Sequence, residues 1–306
     1  MSDVDGAPDV HDLAGNGAPG SRLPVTKTYM LYIGGAFPRS ESGRSYPVTD
    51  SRGNFLANAA QGSRRDARDA VAAARSALGP WSAASAYSRG QVLYRVAEVL
   101  EGRREQFTAA VAAAEGLAPR RATTLVAAAI DRWVWYAGWT DKVATVLGSS
   151  NPVAGPWLCV TVPEPAGVVA VLAPQSSSLL GLAGVLAPVL AAGCTAVVVA
   201  SQHRPLPAVT LAEVLATSDV PAGVVNVLTG RTAELAPWLA AHADVAALDL
   251  CGAPAAIRAD LERTAAGTVT RVLPAPATEP DWTRAPDIAR LRAFLETKTV
   301  WHPSGG

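Results

Sequence analysis

The chain has 306 residues, and its 26 basic and 26 acidic side chains balance to zero net charge. Such a chain lacks the positive field that draws proteins to nucleic acid or anionic membranes, so composition excludes both as electrostatic partners. Its length suffices for a large buried core and for two domains.

Three cysteines, Cys159, Cys194 and Cys251, form no CxxC pair and have no histidine at ligand spacing. The sequence therefore predicts neither a disulfide framework nor a metal site, and the free thiols fit a reducing cytoplasm. Only three basic residues are lysine (Lys27, Lys142, Lys298), a bias towards arginine that points to a GC-rich bacterial genome. Residues 1–22 are polar and acidic, without the apolar segment of a secretory signal. Residues 179–200 are apolar over a bilayer-spanning length, but Pro188 and Gly193 interrupt them and their second half is rich in valine. Strands covered on both faces of a parallel sheet read as such unbroken apolar runs, so a buried strand is expected there.

In chain order, residues 1–25 are rich in Gly, Pro and Asp and are expected to be disordered. Residues 27–37 read as a hairpin, strand and strand about a Gly34-Gly35 turn. Ser63 and Asp66 form a capping box for a helix over 64–78, with Ala67, Val71, Ala74 and Leu78 on one face. Gly79, Pro80 and Trp81 are expected to close it. Helical spacing recurs over 89–100, 104–115 and 127–146, and residues 157–163 read as a strand. A strand over 167–172, a helix over 179–192 and a strand over 195–200 then make a βαβ unit. Parallel pairing with a right-handed crossover is its usual outcome. A helix over 206–217, a strand within 221–230, a helix over 233–241 and strands over 245–252 and 268–273 continue the alternation. A proline-dotted stretch over 274–286 leads to a short helix and a strand within 288–301.

The most specific signal lies in residues 163–201, PEPAGVVAVLAPQSSSLLGLAGVLAPVLAAGCTAVVVAS. Glu164, Pro165, Gly167, Leu186, Ala187, Pro188, Ala191, Ala192, Gly193 and Thr195 match the pattern E-P-x-G-V-V followed by L-A-P-A-L-A-A-G-N-T. Tyr136, Ala137, Gly138, Trp139, Asp141 and Lys142 match a second block, and PAGVVNVLTG over 221–230 matches a third. On these residues the chain resembles the aldehyde dehydrogenase family over about 27–273 and 291–301. The resemblance implies an α/β fold: the Rossmann-like doubly wound parallel sheet of that family's cofactor domain, with N-terminal helices and a small β oligomerisation arm. It places a cofactor-type domain over 26–147 and 164–275. An arm and C-terminal tail would occupy 148–163 and 288–306, and a linker over 276–287 would stand in place of the catalytic domain.

Where the family keeps its chemistry, this sequence departs from it. Ser176 stands at the oxyanion-hole Asn, Val199 and Gln202 at the Lys and Glu that reach the adenosine ribose, and Val272 at the general-base Glu. None of the cysteines lies in a loop like that of the nucleophile. All three are expected to be buried as small hydrophobes, with Cys251 nearest the ligand crevice because strand C-termini face it. The polar residues 175–178 either begin a helix as ordinary caps or bind an anion through backbone N–H groups. A serine hydrolase is excluded because no G-x-S-x-G elbow occurs, and His203 and His242 read as solvated. The expectation is a vestigial crevice of Pro174, Gln175, Ser176, Ser201, Gly230 and Gly252, with no catalytic residue and NAD bound at most weakly.

The family's arm and tail imply an oligomer interface at Trp157, Val160, Val162, Thr299, Val300 and Trp301. Lone strand edges leave backbone groups unpaired, so these segments are expected to pair with another chain. The implied partner is a full-length aldehyde dehydrogenase or a second copy. The chain then reads as a non-catalytic subunit that stabilises or regulates an active enzyme. Two alternatives stand beside it: an aldehyde oxidoreductase with altered chemistry at Cys251 or Ser176, and a nucleotide-sensing module.

Overall fold

Five short apolar runs pair side by side into one parallel sheet in the computed structural model, which describes residues 27–304. The expectation for residues 1–25 lies outside the described residues. The chain opens with β1 (Thr28–Tyr29), β2 (Ser45–Thr49) and β3 (Phe55–Ala60), a small mixed sheet in the order β1-β3-β2. Helices α1 (Arg64–Ala83), α2 (Ala86–Gly102), α3 (Arg104–Glu115), α4 (Pro119–Ala137) and α5 (Val143–Leu147) follow. After β4 (Ser149–Asn151) and β5 (Trp157–Pro165), strands and helices alternate: β6 (Val168–Leu172), α6 (Leu180–Ala191), β7 (Thr195–Val199), α7 (Leu206–Leu215) and β8 (Val225–Leu228). The alternation ends with α8 (Thr232–Ala240), β9 (Val245–Asp249), α9 (Arg258–Ala266) and β10 (Arg271–Leu273). The chain closes with α10 (Ala289–Ala293) and β11 (Leu295–Pro303).

The central sheet runs β10-β9-β6-β7-β8 with every pair parallel. From β6 the chain steps outward through β7 to β8, then returns to place β9 and β10 on the opposite side. That is a doubly wound sheet with its switch point between β6 and β9. Alternate strand residues serve two cores, as the two-residue period of a strand requires. Val169, Val171, Ala196 and Val198 pack with α2, α3, α4, α6 and α7. Val168, Ala170, Leu172, Val197 and Val199 pack with α1, α8 and α9. The apolar run over 179–200 is thus a buried helix and strand. Among the described residues no helix is long and apolar enough to cross a membrane.

Several boundaries differ from the sequence expectation for identifiable reasons. The capping box forms as read, but α1 passes through Pro80 to Ala83. A proline inside a helix removes one backbone bond, and burial of Trp81 holds the extra turn in place. The helix expected over 127–146 starts earlier, at Pro119, and stops at Gly138, with α5 as a separate turn. Proline suits a first helical position because that N–H has no partner anyway. The Gly34-Gly35 hairpin keeps a single bridge, Ile33 to Ala36, because Tyr32 pairs with Val227 instead. The strands β2, β3 and β4 and the helix α9 are short or polar and carried no clear period.

The largest correction concerns the arm and tail. β11 pairs antiparallel with β5 of the same chain along its whole length, from Leu295 opposite Pro165 to Pro303 opposite Trp157. With β4 on the other side, the arm sheet runs β11-β5-β4. These strands therefore need no second chain to satisfy their shared edge, contrary to the expectation.

Asp66 accepts from the Ser63 N–H (2.8 Å), the Ser40 hydroxyl (2.7 Å) and the Glu41 N–H (3.1 Å). Asp66→Ala is expected to lower stability by about 1–3 kcal/mol, the scale of a lost cap plus buried donors left unpaired. A urea midpoint equal to wild type at an unchanged slope would show that the box contributes nothing.

Candidate functional site

The chain leaves β6 at Leu172 and turns through residues 173–179 into α6, the position where open α/β sheets meet their ligands. Gln175 knits this turn to the end of β7. Its Nε2 donates to the Ala173 carbonyl (2.8 Å), its Oε1 accepts from the Gln202 N–H (3.0 Å), and its own carbonyl accepts from the Ser201 hydroxyl (3.2 Å). Arg204 donates to the Ser176 carbonyl. The serines precede the helix, whose N-cap is Leu179 without a side-chain cap, contrary to the cap expectation. Ser177 Oγ nevertheless accepts from the Gly181 N–H (2.9 Å) in the first turn.

The anion reading also finds an answer, from within the chain. The Ser178 N–H and hydroxyl both donate to Glu115 Oε1 (2.7 Å each), at the C-terminal end of α3. The Ser176 N–H donates to Glu279 Oε2 (3.1 Å), from the stretch between β10 and α10. Three of the turn's donors, two N–H groups and a hydroxyl, thus already serve the protein's own carboxylates.

The expected crevice residues separate into three places. Pro174, Gln175, Ser176 and Ser201 do gather around the turn. Gly252 instead seals the switch point, where its N–H donates to the Leu172 carbonyl (2.8 Å). A Cβ there would lie 1.8 Å from the Ala173 carbonyl oxygen, so only glycine fits. Gly230 faces a separate cavity of about 380 Å³ at the ends of β7 and β8, lined also by Tyr46, Gln61, Gln202, His203, Arg204 and Arg231. His203 is exposed as read. His242 is half-buried, and its Nδ1 accepts from the Asp244 N–H (3.2 Å). Val199 lies fully buried in the core beneath α1 and α8.

All three thiols are buried. Cys194 donates to the Phe294 carbonyl (3.3 Å), and burial pushes its thiol up to about 11. Burial pushes Cys251 further, to about 12, against the opposing charge of Arg290. The thiolate is the nucleophilic form, so at neutral pH such groups are inert. Cys159 sits on β5 with Asn151 Nδ2 at 3.6 Å from its sulfur.

Beside Cys251 lies an ion pair that the sequence did not announce. Asp249, the last residue of β9, is fully buried, and Arg290 of α10 stands 2.5 Å from its Oδ2. Its Oδ1 accepts from the Cys251 N–H (2.9 Å). Burial pushes the Asp249 carboxyl up, and the guanidinium and that N–H oppose the push. The intervening residues 274–288 form no regular element but are anchored to the body. Arg132 of α4 donates to the carbonyls of Trp282 (2.6 Å) and Arg284 (2.9 Å), and Tyr136 to that of Asp287 (3.3 Å). The expected linker is therefore a packed strap. Its tryptophan and the charge inside VAALDL were the legible hints, because a buried charge demands a partner. Glu115 and Glu279 carried no local signal, since their partners lie 63 and 103 residues away.

The profile of the aldehyde dehydrogenase family matches residues 38–274. The chain belongs to that family. It is 34% identical over 234 residues to aldehyde dehydrogenase family 2 member B4, mitochondrial, of Arabidopsis thaliana, covering 75% of this chain and 43% of the relative. It is 32% identical over 238 residues to the cytosolic 10-formyltetrahydrofolate dehydrogenase of Mus musculus, covering 76% of this chain and 26% of that one. Among solved structures, HpcC from Thermus thermophilus superposes with a TM-score of 0.76 at 31% identity, over 80% of this chain and 47% of its own. The NAD+ complex of an aldehyde dehydrogenase from Bacillus cereus does so at 0.75 and 26%, over 80% and 50%. This family member thus spans about half the length, or less, of the relatives it matches.

Two outcomes are expected from this geometry. A thiol reagent at pH 8 labels Cys194 and Cys251 only after denaturation; labelling of either in the native protein would contradict their burial. Gly252→Ala forces the ends of β6 and β9 apart, and it should give insoluble or unfolded protein by circular dichroism.

Proposed function

We propose that this aldehyde dehydrogenase family chain is a non-catalytic subunit that docks on a full-length family member and stabilises or regulates it. The observation that carries the reading is the arm sheet. Its outer strand β11 has a free edge, and Trp157 and Trp301 stay 45% and 54% exposed with their rings 6.4 Å apart. Leu158 and Val162 are exposed on the other face of β5, while Val160 and Val300 are paired and half-buried between them. The Thr161 and Thr299 hydroxyls lie 3.1 Å apart across the same pair of strands. An open strand edge flanked by exposed aromatic and aliphatic groups suits strand addition by a partner. Aromatic anchors of this kind carry a large part of the binding energy at interfaces.

The site residues support the same reading. The family's oxyanion Asn, ribose Lys and general-base Glu are Ser176, Val199 and Val272 here, and three donors of the β6–α6 turn hold internal carboxylates. NAD is accordingly expected to bind weakly or not at all. The enzyme alternative rests on Cys251 or Ser176; burial of the Cys251 thiol weighs against it, as does the Glu279 carboxylate already held by the Ser176 N–H. The nucleotide-sensing alternative has one observation in its favour, the cavity of about 380 Å³ at the strand ends.

Native mass spectrometry of the full chain co-expressed with a full-length aldehyde dehydrogenase from the same genome tests the reading. A mixed oligomer is expected, and the pair Trp157→Ala and Trp301→Ala should weaken it about tenfold or more, the effect of losing interface anchors. Both substituted residues are exposed, so the melting temperature of the isolated chain should stay close to wild type. Only monomers or self-assemblies in the wild-type sample would overturn the proposal. A panel of aldehydes with NAD should yield no NADH; turnover that disappears in Cys251→Ala would instead establish the enzyme alternative.

A further inference from the structure

We propose that the outer edge of β11 pairs with β11 of a second copy of this chain, antiparallel about a two-fold axis through Thr299. The isolated chain is then a dimer whose two three-stranded arms join into one continuous sheet. The inference deepens the docking reading by naming what the same edge takes up when no full-length family member is present. It rests on that reading only for the edge being free.

The hydrogen bonds that flank the β5–β11 ladder fix which backbone groups are free. At one end the Ala166 N–H donates to the Phe294 carbonyl (2.9 Å), and at the other the Ser304 N–H donates to the Pro156 carbonyl (2.8 Å). Both bonds continue the register that sets Leu295 against Pro165 and Pro303 against Trp157. In an antiparallel ladder, hydrogen-bonded pairs alternate with non-bonded ones. Glu296, Lys298, Val300 and His302 therefore turn their backbone groups towards β5, whereas Leu295, Thr297, Thr299, Trp301 and Pro303 turn theirs outward. Pro163 and Pro165 of β5 fall at the non-bonded positions, where a missing N–H costs this ladder nothing. The opposite edge of the arm sheet, β4, has only 3 residues against 9 in β11, so β11 offers the longer unpaired row.

That outward row is complementary to itself. Thr299 is the middle residue of Leu295–Pro303, and only an axis there pairs the whole strand with its copy. Outward residues then meet outward residues: Thr299 meets its own copy, Thr297 the copy's Trp301, and Leu295 the copy's Pro303. Pro303 has no N–H to give, and the carbonyl opposite it, that of Leu295, already accepts from Arg271. Residues bonded to β5 become the non-bonded pairs of the new ladder, where side chains approach most closely. There Glu296 faces His302 of the copy, twice by symmetry, a carboxylate against a group that donates or carries positive charge. Moving the axis by one residue sets Glu296 against Val300 or Ser304 and loses the match. The neighbouring charges leave this pairing open. Arg271 stands 3.7 Å from Glu296 on the same side as its own chain, and Lys298 is held by Glu164 at 2.9 Å. On the other face the exposed Trp301 lies across from the copy's Thr297, an aromatic against a β-branched side chain, which is a favourable cross-strand pair.

Sedimentation velocity of the isolated full chain over a range of concentrations tests the proposal. Wild type is expected to pass from monomer to dimer as concentration rises; a monomer up to the solubility limit overturns the pairing. Thr299→Pro removes the outward N–H at the axis and leaves the β5 ladder, which does not use that group. It should stay monomeric with a melting temperature near wild type, because an edge strand tolerates proline where its N–H faces solvent. A dimer that persists in Thr299→Pro uses another surface and overturns the proposal. The register is read from Glu296→His and His302→Glu at about pH 6, where histidine is commonly charged. Each should weaken the dimer at least about fivefold, since each change acts twice across the axis. The double variant, which exchanges the two groups, should return to near wild-type affinity; no recovery overturns the Thr299-centred pairing. If Thr299→Pro does not fold, this exchange carries the test, because both residues are exposed. A dimer of the chain alone without a mixed oligomer would support this pairing and sink the docking reading. A mixed oligomer with a monomeric isolated chain would do the reverse.

Discussion

The helix α6 has no polar face, and the arrangement around it follows from that constraint. All twelve of its residues are buried. A surface helix turns a polar side to water, whereas a helix apolar all round must be covered on every side. The parallel sheet covers one side, and α2 and α4 cover others. The side bearing Gly181 and Gly184 is covered by Trp282 of the strap. Burial of this helix thus ties the N-terminal helices, the central sheet and the strap into one core, and it accounts for a tryptophan in an otherwise polar, proline-dotted stretch.

Electrostatics then decides what the strand ends do. Donors that stand free at such a turn attract anions, but here Glu115 and Glu279 satisfy three of them. A charge buried at the end of β9 is tolerable because Arg290 and the Cys251 N–H meet it; without Arg290 an uncompensated charge would remain in the core. The same low-polarity surroundings keep Cys194 and Cys251 as neutral thiols. Burial, the interaction that builds the fold, is therefore also what silences its potential nucleophiles.

The arm follows a different logic, since β5 and β11 satisfy one another and leave their outer surfaces for something else. Along β5, Cys159 is buried while Trp157, Leu158 and Val162 are exposed. Apolar groups on both faces of a three-stranded sheet gain nothing from exposure to water. The strap and the arm meet at α10, where Arg290 and the start of β11 lie within a few residues of each other.

Much of this was written locally. The capping box at Ser63 and Asp66, the βαβ unit, the order of strands and helices and the family resemblance all follow from patterns within a few dozen residues, because hydrogen-bond periods and turn chemistry are short-range. Pairings between distant residues were not. That β11 would join β5 of its own chain, that Gly252 would close the switch point against Ala173, and that Glu279 would reach Ser176 depend on which surfaces meet after folding. The sequence by itself determined the fold class and the family. Only the tertiary structure decided which distant residues meet, because a side chain's partner across a hundred residues is chosen by packing and charge rather than by sequence pattern.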